Sequence, residues 1–203
     1  MKRIILLGFT AICLSGCGTR TFTNTERAAI EQLLLTGAVD KALEQLDVPQ
    51  VAGGKTFIDF ANLKCIDIEY VKAAVRARFS QMGALLVAEA NDADYIVEIA
   101  SGAVGTEYKS FIVGIPSLPV PGLPTPTPEL ALAKSVEQSG IVKLLVFVRS
   151  NNGKFINSER YYGKMERDET FILWFRSQPK DDIRKAWEAA DERVKAKSSQ
   201  EDD

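Results

Sequence analysis

With 203 residues, 46% of them hydrophobic, the chain is long enough to bury one sizeable core, and a net charge of −2 without a dense basic cluster argues against a nucleic-acid partner. It has no histidine, which removes the commonest zinc ligand and the commonest general base near neutral pH and excludes Ser-His-Asp and Cys-His sites. Catalysis would have to run on carboxylates or lysines, and the sequence implies neither a metal nor another cofactor.

Lys2 and Arg3 open the chain, residues 4–14 form an apolar run too short to span a bilayer, and Leu14-Ser15-Gly16-Cys17 follows. This stretch resembles the lipobox of bacterial lipoproteins. The resemblance implies cleavage between Gly16 and Cys17 and acylation of the Cys17 thiol, and the small side chains of Ser15 and Gly16 suit that cleavage. Residues 1–16 then read as a signal peptide, 17–24 as a polar tether, and the remainder as a periplasmic body held to the outer membrane. Gly18 stands where an aspartate would resemble the inner-membrane retention signal of enteric bacteria, which favours the outer membrane. The alternatives are an ordinary secretory signal and an N-terminal anchor helix. Cys13 leaves with the signal and Cys17 carries lipid, so Cys65 has no intrachain partner and is expected to be buried.

Within the body, residues 25–178, Asn24 or Thr25 can cap a helix over 26–46. Its apolar face is Ile30, Leu33, Leu34, Ala38, Ala42, Leu43 and Leu46, and Gly37 is a weak point that could split it. Residues 55–63 read as a strand. Gly53-Gly54-Lys55-Thr56 suggests a phosphate loop, but Pro49 stands where such a loop needs glycine and a strand follows where it needs a helix; no nucleotide is expected. Asp67 is a candidate cap for a helix over 68–82 with Val71, Val75 and Phe79 in one stripe, and Gly83 is suited to close it. A short strand over 84–88, a turn at Asn91-Asp92 and a strand over 95–104 follow.

Residues 141–149 and 155–163 are strongly β-forming and flank Asn152-Gly153, the preferred pair for a tight turn. The expected fold is therefore α/β: a two-layer sandwich whose mixed sheet of four or five strands carries two helices on one face. Residues 107–139 look foreign to it. They hold Pro116, Pro119, Pro121, Pro124, Pro126 and Pro128, which suggest an extended, partly ordered loop, with a short helix over 129–137. Phe111, Ile112, Pro116, Pro119, Pro121 and Pro124 are the candidate partner-binding residues of this insertion. Because proline removes a ladder donor, the insertion is not expected to supply the paired strands of a membrane pore.

Residues 171–175 are an aromatic run that suits an edge strand or a hydrophobic plug. In the C-terminal segment, 179–203, Asp181 or Asp182 can cap a helix whose Ile183, Ala186, Trp187, Ala190 and Val194 form a docking stripe, and 195–203 read as a solvated tail. Asp59, Asp92, Asp94, Glu98 and Glu159 have no fixed pairing that would mark an active site.

The lipidated start, the order of elements and the strand phrase Ala93-Asp94-Tyr95-Ile96-Val97-Glu98-Ile99-Ala100-Ser101-Gly102 resemble the periplasmic domain of the curli-secretion lipoprotein family. Lipoprotein activators of penicillin-binding proteins share that layout, and the whole chain resembles bacterial lipoproteins of unassigned function. In the curli family the corresponding insertion supplies membrane-spanning strands, and the prolines depart from that pattern. The expected function is a non-enzymatic binding or scaffolding module for another cell-envelope protein, anchored to the outer membrane through lipid. The alternatives are a histidine-free, carboxylate-dependent envelope hydrolase and an oligomeric secretion-channel subunit of curli type.

Overall fold

The computed structural model describes residues 28–119, 121–122 and 127–201. The lipobox, the tether, the capping candidates Asn24 and Thr25, and Pro124 and Pro126 lie outside the described residues. Among the described residues three α-helices, α1 (Ala29–Glu44), α2 (Ile68–Gln81) and α3 (Asp182–Glu201), accompany six strands. The strands are β1 (Lys55–Asp59), β2 (Leu85–Leu86), β3 (Tyr95–Ile115), β4 (Leu130–Ser150), β5 (Phe155–Ile172) and β6 (Phe175–Ser177). They form one mixed sheet in the order β2-β1-β3-β4-β5-β6, with β1 parallel to both neighbours and the remaining pairs antiparallel. The two-layer α/β sandwich is as the sequence leads one to expect, with more strands because β2 and β6 are short edge pieces.

Alternation decides which face of the sheet is covered. Val142, Leu144, Val146 and Val148 of β4 are buried together with Val97 and Ile99 of β3, and the residues between them remain partly exposed. Onto this face α1 lays Leu34, Leu35, Ala38, Val39, Ala42 and Leu43, and α2 adds Val71, Val75 and Phe79 at one-turn spacing. The seating of α1 depends on two strand glycines. A Cβ on Gly140 would strike the Leu34 carbonyl oxygen and one on Gly163 the Ala38 carbonyl oxygen, so only glycine lets the helix backbone rest on β4 and β5. Gly37 does not split α1. It makes room for the Met165 sulfur, and the helix runs through it unbroken.

Helix ends are satisfied in two ways. The Arg78 guanidinium of α2 donates to the Leu46 carbonyl at 2.6 and 3.0 Å and to Glu44 at 3.3 Å, closing the C-terminal end of α1, where a cation suits the dipole. Gly83, at φ +85°, ends α2 in the left-handed conformation, and its N–H donates to Ser80. Asp67 occupies the N-cap position of α2 without a capping side-chain bond, whereas Asp181 caps α3 through the Arg184 N–H at 2.9 Å.

Residues 107–139 are not a loop. β3 and β4 each run for 21 residues and pair from Tyr95–Ser150 out to Ile115–Leu130, with register shifts between Ser101 and Ala103 and between Val113 and Gly114. The stretch over 129–137, expected as a helix, belongs almost wholly to β4. β5 extends alongside as far as Ile172, so a three-stranded ribbon projects past the last glycine contact with α1. All six prolines fall in the connection between Ile115 and Leu130, so they mark where pairing stops. The described ends of that connection are tied together: the Thr127 N–H donates to the Leu118 carbonyl at 3.0 Å, and the Ser117 hydroxyl donates to the Thr127 carbonyl at 2.7 Å.

At the C-terminus only the first turn of α3 docks. Asp181 and Ile183 are buried, and Lys41 of α1 pairs with Asp182 at 2.9 Å, but Trp187 and Val194 are exposed, so the expected stripe does not close on the body. The helix continues through 195–201, where a tail was expected.

Candidate functional site

The ribbon end gathers three stretches distant in sequence: 111–118 from β3 and its exit, 130–133 from β4, and 171–175 from β5, β6 and their turn. Register places Val113, Ala133 and Ile172 in one cross-strand row and Ile112, Lys134 and Phe171 in the next. Alternation sends Phe111 and Val113 to one face and Ile112 to the other. Phe111 is 68% exposed, Leu130 63% and Trp174 88%, so the end is an uncovered apolar cluster. The turn between β5 and β6 beside it is backbone-strained. Leu173 holds φ +54°, a conformation unfavourable for a side chain with a Cβ, and its N–H is fixed to the Leu132 carbonyl at 2.7 Å.

Behind the apolar end lies a charged belt. On one face Glu107, Lys109, Glu137, Lys164, Glu166 and Lys180 surround a hollow of about 120 Å³. Glu166 pairs with Lys164 at 2.5 Å and Lys180 at 3.2 Å, and those two hydrogen bonds hold its carboxyl below the usual range despite some desolvation. The same Glu166 bond holds the Lys180 ammonium above its ordinary value. Three lysines among the carboxylates leave this belt a surface ion-pair array, and among the described residues no group of three or more carboxylate or thiol ligands converges on a metal position. On the other face a trough of about 570 Å³ runs between the start of α1 and the ribbon, lined by Ala28, Ile30, Val136, Arg167 and Phe171.

The residues singled out from sequence distribute unevenly. Phe111 and Ile112 belong to β3, not to a loop, while Pro116, Pro119 and Pro121 are exposed in the connection. Gly16, Cys17 and Pro124 lie outside the described residues. Asp59 and Glu98 prove to be register partners on adjacent parallel strands, yet Asp59 accepts the Ala61 N–H at 2.8 Å and Glu98 pairs with Arg149 at 3.3 Å. Glu159 accepts a bond from the Tyr161 hydroxyl, and Asp94 accepts the Lys55 N–H that opens β1. These carboxylates hold structure and do not share a cleft. Cys65 is half-buried at the edge of the core, not fully buried as expected, and burial followed by the Asp67 charge raises its thiol pKa. Sequence reading missed Leu130, Leu132 and the display of Trp174; the aromatic run at 171–175 was visible, but its cross-strand neighbours were not.

Opposite the helices, the body's sheet face is open. Phe147 and Phe155 lie with ring centroids 5.9 Å apart, and the Lys143 ammonium sits 5.6 Å over the Tyr162 ring. Among the described residues no helix is long and apolar enough to cross a membrane.

No curated protein matches the chain. A family model does match, and it takes in β1 to β4, including the β3–β4 arm of the ribbon. Its match covers residues 11–155, most of the sequence, and the chain therefore belongs to DUF6655, a family of unknown function.

Proposed function

We propose that the protein is a lipoprotein anchored through Cys17 to the outer membrane and facing the periplasm, where it binds or scaffolds another cell-envelope protein without catalysing a reaction. The observation that carries this reading is the sheet face opposite the helices, continuous with the ribbon, on which Phe155 and Tyr162 are exposed beside the half-buried Phe147 and Arg149 and which, among the described residues, no helix covers. Aromatic side chains and arginine are the types enriched where folded proteins meet, because they bury large area at low entropic cost. The carboxylates considered for hydrolysis are engaged one by one, which supports a binding role. A photoreactive residue at position 162 should give a discrete adduct with one envelope protein in intact cells, and the same residue at position 188 on exposed α3 should not. Equal labelling from both positions, or none from either, would overturn the reading.

One observation favours a second reading, the secretion-channel subunit: the β3–β4 hairpin is paired along its whole length. A span needs about nine to eleven residues per strand with an apolar lipid-facing side. Glu107 and Lys109 interrupt one face and Lys134 and Gln138 the other, which weighs against it. Stepwise conductance from the purified protein in planar bilayers would restore the channel reading.

A further inference from the structure

Along the body, the lateral edge of the sheet beyond β5 is unpaired. β6 pairs only with residues 170–172 and an isolated bridge joins Arg167 to Asp181, so among the described residues no strand lies beyond Ser158 to Lys164. β4 and β5 keep one register from Val148–Asn157 to Ala133–Ile172. In such an antiparallel ladder, the residues whose backbone groups point away from the partner alternate. Three bonds fix the phase: the Glu166 N–H donates to the Asp182 carboxylate, the Asp168 N–H donates to the Lys180 carbonyl, and the Tyr162 carbonyl accepts from Gln45. The even-numbered residues therefore point outward. Ser158, Arg160 and Lys164 each present an N–H and a carbonyl along this edge, Tyr162 presents its N–H, and all four residues are exposed.

Side-chain charge decides what kind of strand fits there. On the open face, the Lys143 ammonium lies over the Tyr162 ring and Arg160 stands on the same side of β5, and among the described residues neither has a carboxylate partner. The other charges of this face are matched, Lys164 by Glu166 and Arg149 by Glu98. Glu159 points to the helical face, where it accepts the Tyr161 hydroxyl. Two uncompensated cations thus stand beside unpaired backbone groups. Charges on an edge keep a second copy away. Antiparallel self-pairing over this stretch sets Arg160 opposite or diagonal to Arg160 or Lys164 of the other copy, and like charges so placed are destabilising. The same cations attract a strand that carries carboxylates on that face.

We infer that the β5 edge takes an extended acidic segment of the partner protein as an added strand, its backbone bonded at Ser158, Arg160, Tyr162 and Lys164 and its carboxylates facing Arg160 and Lys143. The inference rests on the binding-module reading and deepens it, since it states how the partner docks. Backbone bonds to a sheet edge supply affinity, and alternate side chains supply specificity. Residues 158–164 span ~20 Å at about 3.3 Å per residue, room for about six or seven residues of the arriving segment.

The test titrates the full chain with an end-capped octapeptide alternating glutamate and valine, and with its twin carrying lysine for glutamate, while amide hydrogen exchange is followed residue by residue. The acidic peptide should slow the even-numbered amides from 158 to 164 by about tenfold or more and leave the odd-numbered ones, already bonded to β4, unchanged. The lysine twin should bind about tenfold more weakly. Arg160→Pro removes only an outward donor, so the melting temperature should hold within about 3 °C while the acidic peptide no longer slows exchange. Arg160→Glu keeps the donor and should favour the lysine twin instead. Even-numbered amides that exchange as fast with the acidic peptide as without it, or equal binding of the two peptides, overturn the inference. In intact cells, an adduct from position 162 that survives Arg160→Pro overturns the edge and leaves the binding role standing. No adduct from position 162 or 188 overturns the binding role and this inference with it.

Discussion

The sandwich body and the ribbon are built from the same two strands and are held by different forces. In the body, β3 and β4 present Val97, Ile99, Val142, Leu144 and Val146 to α1 and α2, and every one of those side chains is buried. In the ribbon the same strands keep their ladder of backbone bonds but lose the helical layer. What remains is cross-strand pairing and exposed ion pairs such as Lys134–Glu129 at 2.9 Å and Arg176–Glu169 at 2.6 Å, each worth at most about 1 kcal/mol. Stability therefore resides in the body. The ribbon's apolar end contributes little to folding and is free to serve contact with something else.

This contrast can be broken most severely in the core. Phe79 is fully buried where α2 meets the body, so Phe79→Ala should cost about 4 kcal/mol in urea unfolding; a cost under about 1 kcal/mol would mean that the helical layer is not what holds the body together. Gly163→Val tests the glycine seat. Its side chain would drive α1 off β5, and overpacking of this kind should cost about 3 kcal/mol.

The alkaline limb should belong to the body as well. Burial, followed by the Glu159 charge, pushes the Tyr161 phenol up to about 12. A pKa raised in the folded state contributes stability that is complete below the unfolded value near ~10 and lost as pH rises through the folded one. Tyr161→Phe should therefore remove up to about 2 kcal/mol of the stability loss between roughly pH 10 and 12, as measured by urea titrations across that range.

The docked turn of α3 should respond less, and at acid pH. Burial alone would raise Asp182, but its bonds from Lys41 and the Glu166 N–H outweigh burial and hold it low. Its contribution is thus present above the ordinary carboxyl range and lost as pH falls through its depressed value. Asp182→Asn should cost about 1 kcal/mol at neutral pH and blunt that acid loss, read from melting temperature against pH. Smallest of all, Trp174→Ser with Phe111→Ser should leave unfolding within about 0.5 kcal/mol of the parent; a drop of 2 kcal/mol or more would make the ribbon end a structural element and erase the comparison.

Much of the body was legible because its signals are local. The stripes Val71-Val75-Phe79 and Leu34-Ala38, the closing Gly83, and Asn152-Gly153, whose Gly153 takes φ +85°, are each decided within one or two turns of chain. The ribbon was not. Its strands read as a proline-rich insertion because the prolines dominate composition, yet proline forbids ladder bonds only where it stands, and all six stand between Ile115 and Leu130.

By itself, then, the sequence determined the α/β class, the helix faces, the tight turn and the exclusion of histidine chemistry, all properties of residue type and short-range spacing. Only the tertiary structure decided that residues near 111, 132 and 174 share one end, that Gly140 and Gly163 are contact points for α1, and that Asp59 and Glu98 are neighbours without forming a site. The physical reason is that strand pairing joins residues tens of positions apart through backbone bonds whose register no single strand encodes, so the partner of each strand is settled only when the whole sheet forms.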